Sequence, residues 1–350
     1  MNVMSENLLA GIILSIALFA SYWGVGKIIL WATKNEILDI PGERSSHVVA
    51  TPIGGGAIIV LVTVIGMMVV SILMPQWVIP RITSYIIGSI LIAVIGWMDD
   101  LYSVAAIWRF GVQAIVAVAI MSWVGVFSGI AIPGSDYISL GWLAYPLTFI
   151  WIVGLINAYN FMDGIDGNAG GIGVVTGIIW ALIAFYLNKP YLVMLSMLIS
   201  VSCIGFLFYN WQPASIFMGD SGSTFLGFTF AVLPLLMSRI SSEVSMPVVA
   251  VLVLAPCIWD ATYTFLRRLW IREPAFTAHR TYLYQRLASS GYPHRLGASI
   301  YIVLSLLTGL CGLLYLVVSG MWKLLILVFV SLLLVAQLVI VRISEYRQKA

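Results

Sequence analysis

Eleven apolar stretches, each about long enough to cross a bilayer, constrain the fold of this chain more than any other feature. A helix needs roughly twenty apolar residues to span the hydrocarbon, and a soluble domain carries about 25% charged residues, whereas this chain carries 9%. We therefore predict an all-α, polytopic integral membrane protein with about eleven transmembrane helices, in which residues 1–350 form a single domain. The predicted spans are 7–33, 53–74, 82–98, 108–131, 143–160, 169–188, 191–210, 216–238, 246–266, 298–318 and 323–341.

Several other classes of segment and site are excluded by the same sequence. The apolar stretch over 8–33 is too long for the core of a cleavable signal peptide, and no basic residue precedes it, so we expect it to remain as a span. The cysteines lie in apolar runs without CxxC or CxxH spacing, which predicts neither a disulfide nor a zinc site. The net charge of +3 is too small and dispersed to indicate nucleic acid. The cysteines are Cys203, Cys257 and Cys311.

Basic residues in the short loops predict the orientation, because cytoplasmic loops are enriched in Lys and Arg. An odd number of spans places the termini on opposite sides. With the N-terminus outside, the inner segments hold twelve basic residues and the outer loops four, so we predict a cytoplasmic C-terminus and a long cytoplasmic loop over about 267–297. The twelve are Lys34, Arg44, Arg109, Arg267, Arg268, Arg272, Arg280, Arg286, Arg295, Arg342, Arg347 and Lys349, and the four are Arg81, Lys189, Arg239 and Lys323.

Five aspartates in three clusters interrupt the apolar sequence: Asp99-Asp100, Asp163 with Asp166, and Asp220. Ionisable groups beside hydrocarbon are costly and persist mainly where they serve a site. The predicted orientation puts all five at cytoplasmic span ends, which indicates one shared cytoplasmic site. Clustered carboxylates can hold a hard divalent cation, and that cation can bind phosphate.

The first and the last of the three clusters lie at opposite kinds of helix end. Asp99-Asp100 closes the third span, where the negative end of a helix repels a carboxylate, and this cost favours a metal or another cationic partner over a plain solvated terminus. Arg109 is a candidate partner, although a topological Arg that extends to the lipid surface is an equal alternative. Asp220 falls in the first turn of the eighth span, where the helix end stabilises it, and we predict that it is a metal ligand.

The middle cluster belongs to the stretch 157–167, which combines amides, carboxylates and glycines in one loop entry. Asn157 and Asn160 are three residues apart, as are Asp163 and Asp166, so each pair shares a helix face if the turn continues. Amides together with carboxylates suit a nucleobase or sugar hydroxyls, and also a cation. We predict a binding role for these residues rather than an ordinary polar turn.

Two further segments carry weaker indications. The glycines at 54–56 open the second span, either as a cradle of backbone N–H groups for phosphate or as a flexible helix entry. The loop over 267–297 interleaves aromatic and basic residues, as in a short interfacial helix on an anionic leaflet or as topology-setting charge alone. Asp260, inside the ninth span, is either a site residue or a partner for the basic cluster that follows it. His47 and His294 are weaker candidates, since a lone loop histidine is usually a surface residue. The further binding candidates are Arg44, which precedes the second span, and His279 and Arg280 in the loop over 267–297.

Taken in order, these motifs resemble the polyprenyl-phosphate N-acetylhexosamine-1-phosphate transferases, which form glycosyltransferase family 4. The resemblance covers nearly the whole chain. It rests on the Asp99-Asp100 pair, N-x-x-N-x-x-D-G-x-D-G over 157–167, M-G-D-x-G-S over 218–223 and a late basic loop with a histidine. Any single motif is weak, but the ordered set is specific. It implies about ten or eleven spans and a cytoplasmic active site in the bacterial inner membrane, with the N-terminus in the periplasm.

The resemblance also implies a reaction and roles. It implies transfer of a sugar-1-phosphate from a UDP-N-acetylhexosamine to undecaprenyl phosphate, with Mg²⁺ as cofactor and release of UMP. Asp99 and Asp100 match the catalytic acid pair of the family, and Asp220 matches the acid that ligates magnesium. Asp99 has three open roles, as a base, as a group that supports the metal, or as a covalent nucleophile. Asn160, Asp163 and Asp166 match the stretch of the family that binds the nucleotide sugar. Arg109 takes the place of a basic residue that faces phosphate.

The chain departs at two places from the sequence patterns of the family's branches. The run over 278–287 lacks the histidine run of the phospho-N-acetylmuramoyl-pentapeptide transferases and, like the segment 43–47, looks like the branch that initiates O-antigen synthesis. Ile53 stands where that branch often has Arg, so we assign no phosphate or lipid contact there.

Three alternatives to this prediction share some of the same features. A cell-wall precursor enzyme of the pentapeptide type shares the motifs. A cation-coupled secondary transporter belongs to another class, but its site would lie near the midplane between repeats, and no repeat is visible here. A purely structural membrane protein would not explain the acid clusters. A homo-oligomer is compatible with the sequence, because lipid-facing and partner-facing apolar surfaces look alike.

Overall fold

The computed structural model describes residues 3–41, 49–241, 244–274 and 280–349. Helices dominate this part of the chain, which confirms the predicted all-α class. Its strands form two short antiparallel hairpins, β1 (Leu38–Asp39) with β2 (Thr51–Pro52) and β3 (Gly129–Ile132) with β4 (Ser135–Ser139). The helices are α1 (Val3–Lys34), α2 (Gly56–Leu73), α3 (Ile82–Tyr102), α4 (Ala106–Trp123), α5 (Ala144–Asn160), α6 (Asn168–Tyr186), α7 (Pro190–Asn210), α8 (Asp220–Ser241), α9 (Met246–Val253), α10 (Ala255–Trp270), α11 (Leu283–Ser289), α12 (His294–Val317) and α13 (Met321–Lys349).

Ten of the described helices are long and apolar enough to cross a membrane, and α9 with α10 would make an eleventh. The predicted number of spans is therefore confirmed, but the ninth span is broken rather than continuous. α9 and α10 meet at an angle of 77°. Pro256 lies in the first turn of α10, and its ring cannot continue a helix because it lacks an N–H and clashes with the preceding turn.

The fourth predicted span, 108–131, is too long. Helix α4 ends at Trp123, and Gly125 then adopts a positive φ of 118°. A glycine in this conformation commonly ends a helix. The apolar residues that follow form part of β3 instead, so their hydrophobicity was misread as helix.

Helix α8 forms the centre of the protein. Of the residues in its apolar span 94% are buried inside the protein, compared with 22% for α1 and 17% for α13. Helices α2, α3 and α5 pack around α8. The acidic residue that begins α8, Asp220, therefore lies where several helix ends meet.

A glycine contact sets the distance between α2 and α8. A Cβ added to Gly56 would lie 2.4 Å from the Cα of Gly222, so neither backbone could approach as closely with a larger residue. Gly96 on α3 is similarly close to the Asp220 carbonyl group, at 2.6 Å from an added Cβ. These close approaches bring the start of α8 against α2 and α3.

The loop between α10 and α12 differs from the sequence expectation. Tyr282, Leu283, Tyr284 and Leu287 are all buried in the protein, and Arg286 forms a bidentate pair with Glu345 of α13 at 2.6 and 2.7 Å. Helix α11 therefore packs against protein, and the prediction of an interfacial helix on the lipid surface was wrong. The three cysteines are free and buried in the protein.

Candidate active site

Arg109 joins two of the predicted acidic clusters. Its Nη1 contacts Oδ2 of Asp99 and lies 2.7 Å from Oδ2 of Asp220. The three residues come from the end of α3 and the starts of α4 and α8. This confirms that Arg109 reaches the acids, and it removes the alternative in which its side chain only marks the membrane surface. The Arg109 side chain is 33% exposed, so this charged cluster is partly accessible at the protein surface.

Asp100 has a different position from its neighbour Asp99. Its Oδ1 accepts a hydrogen bond from the Asp220 N–H at 2.7 Å, and its Oδ2 accepts one from the Ser221 N–H at 3.2 Å. A carboxylate at the N-terminus of a helix satisfies free amides and the helix dipole. Asp100 therefore holds the first turn of α8 in place, and its predicted catalytic role stays a prediction.

The loop after α5 also contacts the start of α8. Asp163 Oδ2 accepts a hydrogen bond from the Gly219 N–H at 3.2 Å, and Asn160 Oδ1 accepts one from the Ser223 hydroxyl at 2.6 Å. Burial, and then the nearby Asp220 carboxylate, raise the pKa of Asp163 well above its usual range. A buried carboxylate beside other carboxylates favours a bound cation or donor hydrogen bonds.

The remaining members of the 157–167 stretch point to different neighbours. Asp166 Oδ2 accepts a hydrogen bond from the Ala214 N–H at 3.1 Å, and its Oδ1 lies 3.3 Å from His294 Nδ1. Asn157 donates through its amide to Gln113 Oε1 on α4 at 2.7 Å. Asn157 and Asn160 therefore link α5 to different helices, α4 and α8, and their predicted role in substrate binding stays a prediction.

Sequence comparisons agree with this geometry. The sequence model for glycosyl transferase family 4 matches residues 82–238, which include all five aspartates. Over 303 residues the chain is 32% identical to the probable undecaprenyl-phosphate N-acetylglucosaminyl 1-phosphate transferase of Bacillus subtilis (strain 168), with 86% of this chain and 83% of that protein covered. The chain belongs to glycosyl transferase family 4. The family identified from the ordered motifs is thereby confirmed.

Other relatives of this family 4 chain fall into two groups. The decaprenyl-phosphate N-acetylglucosaminephosphotransferase of Mycobacterium leprae (strain TN) is 27% identical over 317 residues, covering 80% of this chain and 77% of that protein. The phospho-N-acetylmuramoyl-pentapeptide-transferase of Synechococcus sp. (strain JA-3-3Ab) is 29% identical over 248 residues, covering 67% of each. The N-acetylglucosamine relatives thus align over more of the chain.

Not every predicted residue can be placed at this site of the family 4 chain. Arg44 and His279 lie outside the described residues. Arg280 is half-buried in the segment that precedes α11. The glycine triplet is not a phosphate cradle, because the N–H groups of Gly54 and Gly55 donate to the Phe217 carbonyl and that of Gly56 donates to the Met218 carbonyl. Those amides attach α2 to the segment before α8.

Several polar residues around the aspartates were predicted from the sequence only weakly or not at all. Gly167 donates its N–H to Asn210 Oδ1 at 3.0 Å, and His294 contacts Asp166. Gln113 and Ser223 partner the two asparagines. Asn210 carried a usable indication, since it is a polar residue at the end of an apolar span, and Ser223 belongs to the M-G-D-x-G-S motif. Gln113 lies inside an apolar run and gave none.

The carboxylates at this site suit a magnesium ion in their chemistry. Among the described residues, no three His, Cys, Asp or Glu side chains are already arranged as metal ligands. Mg²⁺, however, is commonly bound through one or two carboxylates together with substrate phosphates. Asp99 and Asp220 converge on one cationic atom of Arg109, so two carboxylate oxygens already face a common point.

Proposed function

We propose that this family 4 chain transfers an N-acetylhexosamine-1-phosphate from a UDP-sugar to undecaprenyl phosphate and releases UMP. A phosphate oxygen of the lipid forms a bond to the β-phosphorus of the donor, and the bond from that phosphorus to the bridging oxygen breaks. The observation that carries the proposal is the convergence of Asp99 and Asp220 on Arg109 at the buried start of α8. Phosphoryl transfer depends mostly on positioning and charge neutralisation, and these groups supply both.

Arg109 and Asp99 are the residues we place nearest the reacting phosphates. A guanidinium offers several N–H donors in a geometry that matches phosphate oxygens, and the Arg109 side chain is partly exposed. A phosphomonoester has a second pKa near 6, so the lipid phosphate is mostly a dianion at pH 7 and needs little help from a base. We therefore assign Asp99 to orienting Arg109 and the metal before assigning it to proton transfer or covalent catalysis.

Asp220 and Asp99 are the residues that would hold Mg²⁺. When bound, the ion neutralises negative charge on the diphosphate. The chain itself keeps Asp220 in position: Asp100 accepts hydrogen bonds from the amides of Asp220 and Ser221, and Asp163 accepts one from the amide of Gly219. Both carboxylates therefore fix the backbone on either side of the metal ligand.

The nucleotide sugar is proposed to bind along the 157–167 stretch. Asn160 and Asp163 contact the start of α8 at Ser223 and Gly219, and Asp166 lies in the same loop. Their amide and carboxylate groups suit sugar and ribose hydroxyls. The site is proposed to face the cytoplasm of a bacterial inner membrane, with the N-terminus in the periplasm, because that orientation places the basic loops inside. Soluble UDP-sugars are available on that side.

We further propose that the product starts O-antigen or a related surface polysaccharide. The relatives named for N-acetylglucosamine transfer align with 80% and 86% of this chain, and the pentapeptide relative aligns with 67%. The late loop lacks the histidine run of the pentapeptide enzymes. A cell-wall precursor transferase is the second candidate, because relatives with that name also match.

Release of UMP by the purified protein tests this proposal. The protein is incubated with Mg²⁺, undecaprenyl phosphate and a panel of UDP-sugars that includes UDP-GlcNAc, UDP-GlcNAc isomers and the UDP-MurNAc-pentapeptide. We expect UMP with an N-acetylhexosamine donor only, a requirement for the lipid, and loss of activity in Asp220→Asn. Glu6→Gln makes the same chemical change on α1, where Glu6 contacts Gln76, and should keep full activity. No UMP with any donor, or full activity in Asp220→Asn, would contradict the proposal.

A further inference from the structure

Asp260 of α10 is a buried carboxylate that the proposed reaction does not use. Its Oδ1 accepts hydrogen bonds from the Leu283 N–H at 2.7 Å and the Thr264 hydroxyl at 3.1 Å. Its Oδ2 accepts them from the Tyr284 N–H at 3.4 Å and the Tyr301 hydroxyl. The side chain is fully buried. A buried carboxylate is strongly unfavourable without hydrogen bonds, so these neutral donors from α10, α11 and α12 account for its stability there.

Two of those donors are the backbone amides that begin helix α11. The first N–H groups of a helix have no partner within the helix, and negative charge at that end is stabilising. Helix α11 has seven residues, which is too short to be stable without tertiary contacts. Asp260 therefore determines where α11 begins relative to α10.

Helix α11 in turn contacts the loop that carries the donor-binding candidates. The Tyr284 hydroxyl donates to the Phe161 carbonyl oxygen at 2.6 Å. A Cβ added to Gly164 would lie 2.2 Å from the same hydroxyl oxygen. The Tyr282 ring stacks on that of Phe161 with 5.3 Å between centroids. Phe161 and Gly164 flank Asp163, so the first turn of α11 presses directly on the backbone that presents this carboxylate.

We propose that Asp260 is a positioning residue for the segment 161–167, acting through the start of α11 and the hydroxyl of Tyr284. The part of this inference that concerns the donor rests on the proposed function. A displaced α11 would move the Phe161 carbonyl, and with it Asp163, whose Oδ2 accepts the Gly219 N–H beside Asp220. The effect should fall on the nucleotide sugar and spare the lipid acceptor.

Four variants separate this role from a general effect on folding. Asp260→Ala removes all four hydrogen bonds that the carboxylate accepts. Asp260→Asn keeps the size of the side chain and one acceptor oxygen. Tyr284→Phe removes only the link to Phe161. Tyr191→Phe is the matched control, because it also removes one hydroxyl from a fully buried ring, on α7, where that hydroxyl bonds Ser71 at 2.7 Å.

Steady-state kinetics with varied donor and varied lipid give the first readout. We expect the KM for the UDP-sugar to rise about tenfold in Tyr284→Phe, as for loss of one buried hydrogen bond, with the KM for undecaprenyl phosphate unchanged. Asp260→Ala should show a larger rise, Asp260→Asn a smaller one, and Tyr191→Phe none. Equal rises in both KM values, or an unchanged donor KM in Tyr284→Phe, would overturn the proposal.

Hydrogen–deuterium exchange gives a second readout that does not depend on activity. Backbone amides of residues 162–167 should exchange faster in Asp260→Asn and Tyr284→Phe than in the parent protein and Tyr191→Phe. Unchanged exchange there would overturn the positioning role. If exchange rises as expected while the parent protein releases no UMP with any donor, the positioning role is supported and the proposed function alone fails.

Discussion

Two adjacent aspartates at the end of α3 have different surroundings. Asp99 contacts the partly exposed Arg109, whereas Asp100 accepts both of its hydrogen bonds from the first amides of α8. A helix C-terminus repels negative charge, so the pair is unfavourable for α3 alone. A cation offsets that cost for Asp99, and the positive N-terminus of α8 offsets it for Asp100.

Replacing the two residues separately should therefore affect different properties. Asp99→Asn should lower UMP release about 100-fold, within the range that positioned electrostatic groups contribute, and leave the thermal unfolding midpoint nearly unchanged, because Arg109 keeps its contact with Asp220. Asp100→Ala should lower the midpoint, since losing a helix cap costs about 1–2 kcal/mol. Thermal unfolding and UMP release are measured on the same detergent preparations. An unchanged midpoint in Asp100→Ala with lost activity would place Asp100 at the reacting phosphates instead.

The elements that surround the site depend on close backbone contact between α2 and α8. Gly56 and Gly222 lie too close together for a side chain at either position. This contact places the start of α8 next to the ends of α3 and α5. The short α11 contacts the loop after α5 through Tyr284 and Tyr282. The residues proposed for catalysis are few, but their positions depend on several helix ends.

The glycine contact gives a prediction about packing. Gly56→Ala should destabilise the protein by about 1–3 kcal/mol, the usual cost of overpacking, because backbone atoms of Gly222 and Met218 would have to move. Gly11→Ala is the control: an added Cβ on Gly11 of α1 meets no atom within 4 Å, and alanine favours a helix. Thermal unfolding of both variants checks this, and an equally stable Gly56→Ala would show that α2 and α8 can separate without cost.

The sequence predicted the spans well and the contacts between them poorly. Bilayer thickness imposes a length on every apolar helix, so the helices could be recognised locally, apart from the break at Pro256 and the early end of α4. The convergence of the acidic clusters was also predictable, from loop charge and helix direction. The hydrogen bond between Asp100 and Asp220 joins residues 120 positions apart, and no local pattern indicates which distant donor a carboxylate meets. The roles of Asp260 and the glycine triplet were missed for the same reason.

The orientation of the protein in the membrane is a property of the whole molecule. Cysteine labelling tests which loops face the cytoplasm. The native cysteines are buried, so they should contribute little background. Ser139 is the last residue of β4, in a predicted outer loop, and Ser289 is the last residue of α11, in the predicted cytoplasmic loop. Both are exposed. A membrane-impermeant maleimide should label Ser139→Cys in intact cells and Ser289→Cys only after permeabilisation. The reverse pattern would contradict a cytoplasmic site.

We propose that this protein moves a sugar together with its phosphate from a nucleotide to a lipid. UDP-GlcNAc labelled with ³²P at the β-phosphate tests it directly, because that phosphorus should leave with the sugar. With undecaprenyl phosphate and Mg²⁺ present, we predict that the label enters the lipid extract and that the UMP released is unlabelled. The same measurement with other UDP-N-acetylhexosamines identifies the donor. Label that stays in water-soluble products with every donor, while UMP is released, would show hydrolysis of the donor and contradict the account.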